Sequence, residues 1–230
     1  MAKRGKRYRA LAGKVDADKL YSAEEATTLV KELATAKFDE TIEAHFHLGI
    51  DPRKSDQNVR GTVSLPHGTG KNVRVIVFAA GAHADEAKAA GADEVGYEDL
   101  IEKIKNGWTE FDVAISTTDA MKEVRKIARV LGPRGLMPNP KTGTVTDDVA
   151  AAVKASKGGK VDFRMDRAGN VCVMCGKRSF EESKLVENIR VIVDAVKAER
   201  PAGAKGAFVR TLTVSSTMGV GVRVLVKEFE

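Results

Sequence analysis

Two glycine-rich segments, at residues 66–71 and 157–160, divide this chain into stretches of different hydrophobic texture. Between them, apolar runs alternate with helix-like segments. An unbroken run at 73–79 precedes a helical segment near 85–90. A short strand at 94–97, a helix at 98–105, a strand at 111–116 and helices at 119–130 and 147–156 follow. Strands buried on both faces read as continuous apolar runs, so this alternation predicts a small parallel sheet covered by helices. Outside the two segments the period is different. Residues 41–50 place Ile42, Ala44, Phe46, Leu48 and Ile50 on one face and Glu43, His45 and His47 on the other. That is the pattern of a half-buried strand in an open-faced sheet. A domain entered and left through neighbouring glycine linkers is an insertion, and the two chain ends must then pack together. The expected fold class is therefore α/β in two domains, a split α+β domain from 1–67 plus 160–230 and an inserted domain at 68–159. Gly68, Gly70, Gly158 and Gly159 are the expected hinges.

The end segments hold further elements. Ser22 and Glu25 are spaced as a capping box, and Ala26, Leu29, Val30 and Leu33 form the apolar stripe of the helix they open. A polar loop at 51–61 leads to a short strand at 62–65. Strands at 160–166 and 170–175 flank Arg167-Ala-Gly169, which signals a hairpin. A helix at 181–198 buries Leu185, Ile189, Ile192, Val193 and Val196, and strands at 208–215 and 220–226 finish the chain.

The formal net charge is +6, and its placement is more informative than its size. Residues 1–67 carry 12 Lys and Arg against 10 Asp and Glu, and residues 160–230 carry 13 against 9. Residues 68–159 carry 13 of each, so the whole excess lies in the two ends. A polyanion-binding surface shared by the ends gives this asymmetry. Lys3, Arg4, Lys6, Arg7, Arg9 and Lys14 precede the first acid, Asp16, and read equally as a solvated arm or an RNA contact. The start of the chain has no apolar segment or cleavage site of a secretory signal. No apolar run reaches the roughly 18 residues of a membrane span. Two cysteines cannot build a disulfide framework, and a reducing cytoplasm suits them.

Candidate chemical motifs are incomplete. Cys172 and Cys175 spell C-x-x-C, but there is no second pair, and positions i and i+3 of a strand face opposite ways. Two structural thiols are the better reading. His45 and His47 share a face with Glu43 but have no supporting cluster, so no metal is expected. Residues 67–71 lack the first Gly of a phosphate loop, where Leu65 stands, and its final Ser or Thr, where Asn72 stands. Ala80-Gly81 lacks the dinucleotide fingerprint, so no cofactor is expected. The Gly132-Pro-Arg-Gly135 step is either a structural loop or a backbone clamp. Residues 215–219 are either a hairpin turn or a close-contact loop of small donors and acceptors. No nucleophile–base pair is readable, and an enzyme is not expected. With 5% aromatic residues, RNA would be recognised by shape rather than by base stacking.

KFDETIEAHFHLGIDPRKSDQNVRGTVSLPHGTGK at 37–71, GPRGLMPNPKTGTV at 132–145 and SSTMG at 215–219 together resemble the bacterial branch of the ribosomal L-one family. That family supplies the first protein of the large ribosomal subunit, the protein part of its mobile stalk. The similarity runs from the KRYRAL stretch to Val226 in order and spacing. It implies a Rossmann-like three-layer α/β insert and a split domain that binds the stalk region of 23S rRNA. It also implies help in releasing deacylated tRNA from the exit site, and repression of the protein's own operon messenger RNA by the free protein. The matching rRNA-binding positions are Lys37, Phe38, Thr41, Arg53, Lys54, Arg164, Ser216, Thr217, Met218 and Gly219. Val220 stands where family members often have Pro, which leaves the loop less constrained.

Overall fold

The computed structural model describes residues 5–229; Lys3 and Arg4 of the basic tail lie outside them. In chain order the helices are α1 (Lys6–Ala12), α2 (Ala23–Leu33), α3 (Ala82–Ala89), α4 (Glu98–Lys105), α5 (Met121–Val124), α6 (Ala128–Leu131), α7 (Val149–Lys157) and α8 (Glu182–Ala198). The strands are β1 (Thr41–Leu48), β2 (Arg60–Ser64), β3 (Val75–Phe78), β4 (Glu94–Gly96), β5 (Val113–Ser116), β6 (Lys160–Arg164), β7 (Asn170–Lys177), β8 (Val209–Ser216) and β9 (Val222–Val224). The chain divides into two compact units, Met1–Gly70 with Val161–Glu230, and Lys71–Lys160. The fold is the mixed two-domain α/β class expected.

In the first unit a four-stranded sheet of order β7-β1-β8-β9 carries α2 and α8 on one face. The pairs β1–β7, β1–β8 and β8–β9 are antiparallel. The period-two pattern decides which side is covered. Ile42, Ala44, Phe46 and Leu48 of β1, Val171, Val173 and Cys175 of β7, and Leu212 and Val214 of β8 are all buried. They meet Leu185, Ile189, Ile192, Val193 and Val196 of α8 and Ala26, Val30 and Leu33 of α2 in one core. Ser22 caps α2 as expected: its side chain accepts from Glu25 N, and the Glu25 carboxylate accepts from Ser22 N. Strand β1 ends at Leu48, two residues before the expected end. Gly49 N–H donates to Phe208 O, and a Cβ there would collide with Ala207 O.

The expected hairpin at 160–175 is not formed. β6 pairs with β2 in a separate two-stranded sheet, while β7 lies beside β1. Asp166 makes the turn, accepting from the backbone N–H groups of Ala168 and Asn170, but the backbone bonds stop at Asp166 N–H to Asn170 O and Gly169 N–H to Asp166 O. Turn chemistry is local, whereas ladder choice follows from where each strand's apolar face can be buried.

In the second unit β4-β3-β5 form a parallel sheet. Val75, Val77 and Ile115 pack with Ala87 of α3 and with Val149 and Val153 of α7 on one face. Ile76 and Phe78 pack with Leu100 and Ile104 of α4 and with Val124, Ile127 and Leu131 on the other. The long helix expected at 119–130 is instead α5, a 3-10 turn at Arg125–Ile127, and α6. The β-branched Val124, Ile127 and Val130 weaken a regular α-helix here, and the tightened turn still keeps Val124, Ile127 and Leu131 inward.

Gly68, Gly70 and Gly159 have φ of 66°, 71° and 99°, and Gly158 follows α7 with φ −76°. Gly68 and Gly70 lie in the first unit, where the buried Asn188 of α8 fastens the His67–Gly68 step. Its amide donates to Gly68 O and Cys175 O, and its oxygen accepts from His67 N–H. A side chain at Gly70 would run into Phe180 and Lys177 at 2.8–3.0 Å.

Candidate nucleic-acid interface

At the start of β1 the inward face carries an acid. Residue 40 has the parity of Ile42 and Ala44, so its side chain enters the protein, and Glu40 is completely buried. Its carboxylate is fully engaged. Oε1 accepts from Ala36 N–H at 2.8 Å, and Oε2 accepts from the Ser216 hydroxyl at 2.8 Å and from Met218 N–H at 2.9 Å. Burial alone would raise its pKa. The hydrogen bonds from Ala36, Met218 and Ser216, with the positive charge of Arg7, outweigh this and hold it below the usual carboxylate range.

That carboxylate fixes the loop after β8. Thr217 closes the same corner from outside: its N–H donates to Thr41 O at 3.0 Å, and its hydroxyl oxygen accepts from Thr41 N–H at 3.0 Å. Lys177 Nζ donates to the Thr41 hydroxyl, and Arg7 of α1 donates to Met218 O at 3.1 Å. The N-terminal residues 6–12 are thus a helix that touches the loop. With its backbone tied down, the loop presents Met218, 47% exposed, near the strand start that presents Phe38, 53% exposed. Lys37 is exposed beside Phe38. Gly219 has a specific reason to be glycine, because a Cβ there would collide with Ser216 Oγ, the hydroxyl bonded to Glu40. Gly219→Ala should therefore push Ser216 off Glu40 and lower stability by roughly 1–1.5 kcal/mol. Unchanged stability in urea denaturation would show that the Ser216–Glu40 bond yields to the added methyl without cost.

The structure brings together Lys37, Phe38, Thr41, Ser216, Thr217, Met218 and Gly219. It does not add Arg53, Lys54 and Arg164 to them. Arg53 and Lys54 are exposed on the loop beyond the other end of β1, whose eight residues span about 24 Å at roughly 3.4 Å each. Arg164 is exposed on β6, next to Met165, whose N–H donates to Val59 O. These three cations belong to the Leu48 end of β1, and Arg164 is not on a strand beside it. Sequence reasoning missed Glu40, Lys177 and the contact of Arg7. The signal for Glu40 was its inward parity in an alternating strand.

The outer sheet face holds the remaining motif residues. His45 has Cys172 Sγ 3.1 Å from Nδ1 and Ser215 Oγ 3.0 Å from Nε2, and His47 Nδ1 lies 2.9 Å from Asn170 Oδ1. Cys172 is exposed and Cys175 buried, and both are free thiols. Burial pushes the Cys175 thiol up to about 12, and burial with the charges of Glu43 and Asp166 also raises Cys172, so neither is an activated nucleophile. Among the described residues no cluster of three His, Cys, Asp or Glu side chains is placed to hold a metal. No helix among them is long and apolar enough to cross a membrane.

The model of the Ribosomal protein L1p/L10e family matches residues 30–220, from α2 through the Thr217 loop. With most of its length matched, the chain belongs to this family and is a structural, rRNA-binding protein of the large ribosomal subunit.

Proposed function

We propose that the first unit binds the stalk region of 23S rRNA through the corner formed by Lys37, Phe38, Thr41 and residues 216–219. The observation that carries this is two exposed apolar side chains, Phe38 and Met218, on backbone fixed by a buried carboxylate. A rigid loop loses little conformational freedom on binding, and its close backbone suits RNA 2′-hydroxyls and sugars. Lys37, Lys177 and Arg7 lie around it and position phosphates. Arg53, Lys54 and Arg164 form a second, more peripheral contact of the same unit. In this reading the bound protein is the protein part of the mobile stalk, and Gly158 and Gly159 after α7 let it move, while Gly68 and Gly70 are held in the first unit. On the ribosome, in the cytoplasm, it helps deacylated tRNA leave the exit site. The free protein uses the same corner on a similar fold in its own messenger and represses translation. The inserted unit contacts tRNA rather than the stalk rRNA.

Thr217→Ala tests the corner. Losing the hydroxyl that bridges Thr41 should lower affinity for a stalk rRNA fragment about tenfold at both low and high salt, since the lost contacts are neutral. If Thr217→Ala binds within twofold of wild type while Lys37→Gln abolishes binding, charge and not loop shape selects the RNA. Competition by a messenger leader fragment for the stalk fragment checks that both use this corner.

A further inference from the structure

The second unit is nearly neutral in total but not in arrangement. Residues 122–141 hold six Lys and Arg and one acid, Glu123, while the rest of Lys71–Lys160 holds eight cations and twelve acids. Four of the six cations fall on one stripe of the rod formed by α5, the 3-10 turn and α6. Val124, Ile127 and Leu131 are buried against the sheet, and Lys122, Arg125, Lys126 and Arg129 occupy the opposite, exposed side at helical spacing. Lys126 is paired with Glu123 at 2.6 Å. Among the described residues no carboxylate pairs with Lys122, Arg125 or Arg129. The rod then runs into the exposed Gly132-Pro-Arg-Gly135 step, which has no side chain at either glycine to keep a strand away from the backbone.

We infer that this ridge, Lys122, Arg125 and Arg129 leading to Gly132–Gly135, is a docking site for an RNA phosphate backbone. The inference deepens the reading that the inserted unit meets RNA, and it rests on that reading. Cations one helical turn apart, about 5.4 Å, match the step between neighbouring phosphates of a strand. Charge gathered on one stripe attracts a polyanion strongly at short range, and the acids elsewhere on the unit orient it without adding net charge. Arg supplies planar, paired donors that suit phosphate oxygens, and two of the three unpaired cations are Arg. A ridge whose exposed side chains are Lys122, Arg125, Lys126 and Arg129 favours RNA backbone over an acidic protein, which would need anchoring apolar contacts.

The test uses the full chain and two probes, deacylated tRNA and a stalk rRNA fragment, titrated at several salt concentrations. One variant carries Lys122→Gln, Arg125→Gln and Arg129→Gln. A control carries the same charge loss at exposed positions of the same unit, Lys88→Gln, Lys105→Gln and Lys154→Gln. All six positions are exposed, and circular dichroism melts confirm that both variants fold. The expected result is a roughly tenfold loss of tRNA affinity for the ridge variant, with the slope of log affinity against log salt shallower by about 2. Stalk-fragment affinity stays within twofold, and the control stays near wild type. A loss seen with the stalk fragment and not with tRNA also supports the ridge, and then the tRNA reading fails while the site stands. Equal losses from ridge and control variants, no loss on either RNA, or displacement of tRNA by polyglutamate at matched charge overturns the proposal.

Discussion

Glu40→Gln should weaken binding of the stalk rRNA fragment about thirtyfold and lower stability by about 2–3 kcal/mol. The wild-type carboxylate meets donors at both oxygens: Ala36 N–H at one, and Ser216 hydroxyl and Met218 N–H at the other. An amide offers one acceptor oxygen, so whichever way it is flipped its NH2 faces a donor. The Met218 loop or the Ala36 turn must then open. Urea denaturation and filter binding measure the two effects. A variant that loses stability but binds within threefold would separate the buried acid from the interface. The same group makes a pH prediction. Because the folded carboxyl lies below its ordinary value, its contribution is fully present above the unfolded value of about 4.3 and is lost as pH falls through the lower, folded value. Wild type should therefore lose stability faster than Glu40→Gln on acidification in that window. Parallel acid limbs for the two proteins would contradict the cause assigned to the depressed pKa.

Asn188→Ala should cost about 3–4 kcal/mol, by removing one buried side chain that serves three backbone groups. His67 N–H loses its acceptor, and Gly68 O and Cys175 O lose their donor, at a point where α8, β7 and the segment at 66–70 meet. No apolar replacement satisfies those groups. Chemical denaturation gives the magnitude, and amide exchange at His67 reports the local release. At low denaturant the variant should still bind the stalk fragment, since residues 37–41 and 216–219 are held by Glu40 and Thr217. A loss under 1 kcal/mol would mean that water replaces the amide at this site.

Much of the architecture is legible in residue order. The strand at β1 follows from strict alternation between Ile42 and Leu48, and α4 occupies residues 98–105 as its pattern predicts. The capping box at Ser22 forms with both of its hydrogen bonds. These succeed because each depends on residues within a few positions of one another. Failures occur where a neighbour distant in sequence takes part. Gly49 ends β1 because Ala207 and Phe208 arrive beside it. The turn at Asp166 is right in chemistry, yet its two strands enter different sheets.

The interface divides in the same way. The family resemblance names Phe38 without showing that it is exposed. The uncharged residues 217–219 and the surplus of positive charge in the chain ends are visible before any fold is known. So is an acid at the inward-facing position 40, although its meaning is not. The sequence by itself determines periods, caps and turns, and with them the two textures that separate the insert from the ends. Tertiary structure alone decided that Glu40 lies under a loop 176 to 178 positions away, and that Arg53, Lys54 and Arg164 stand at the far end of β1. It also decided that Lys122, Arg125, Lys126 and Arg129 of the insert share the exposed side of one helical rod. The physical reason is that periodicity says which face of an element avoids water, while the partner for that face is settled when the whole core closes. A buried carboxylate can be kept charged only where that closure brings it three donors at once.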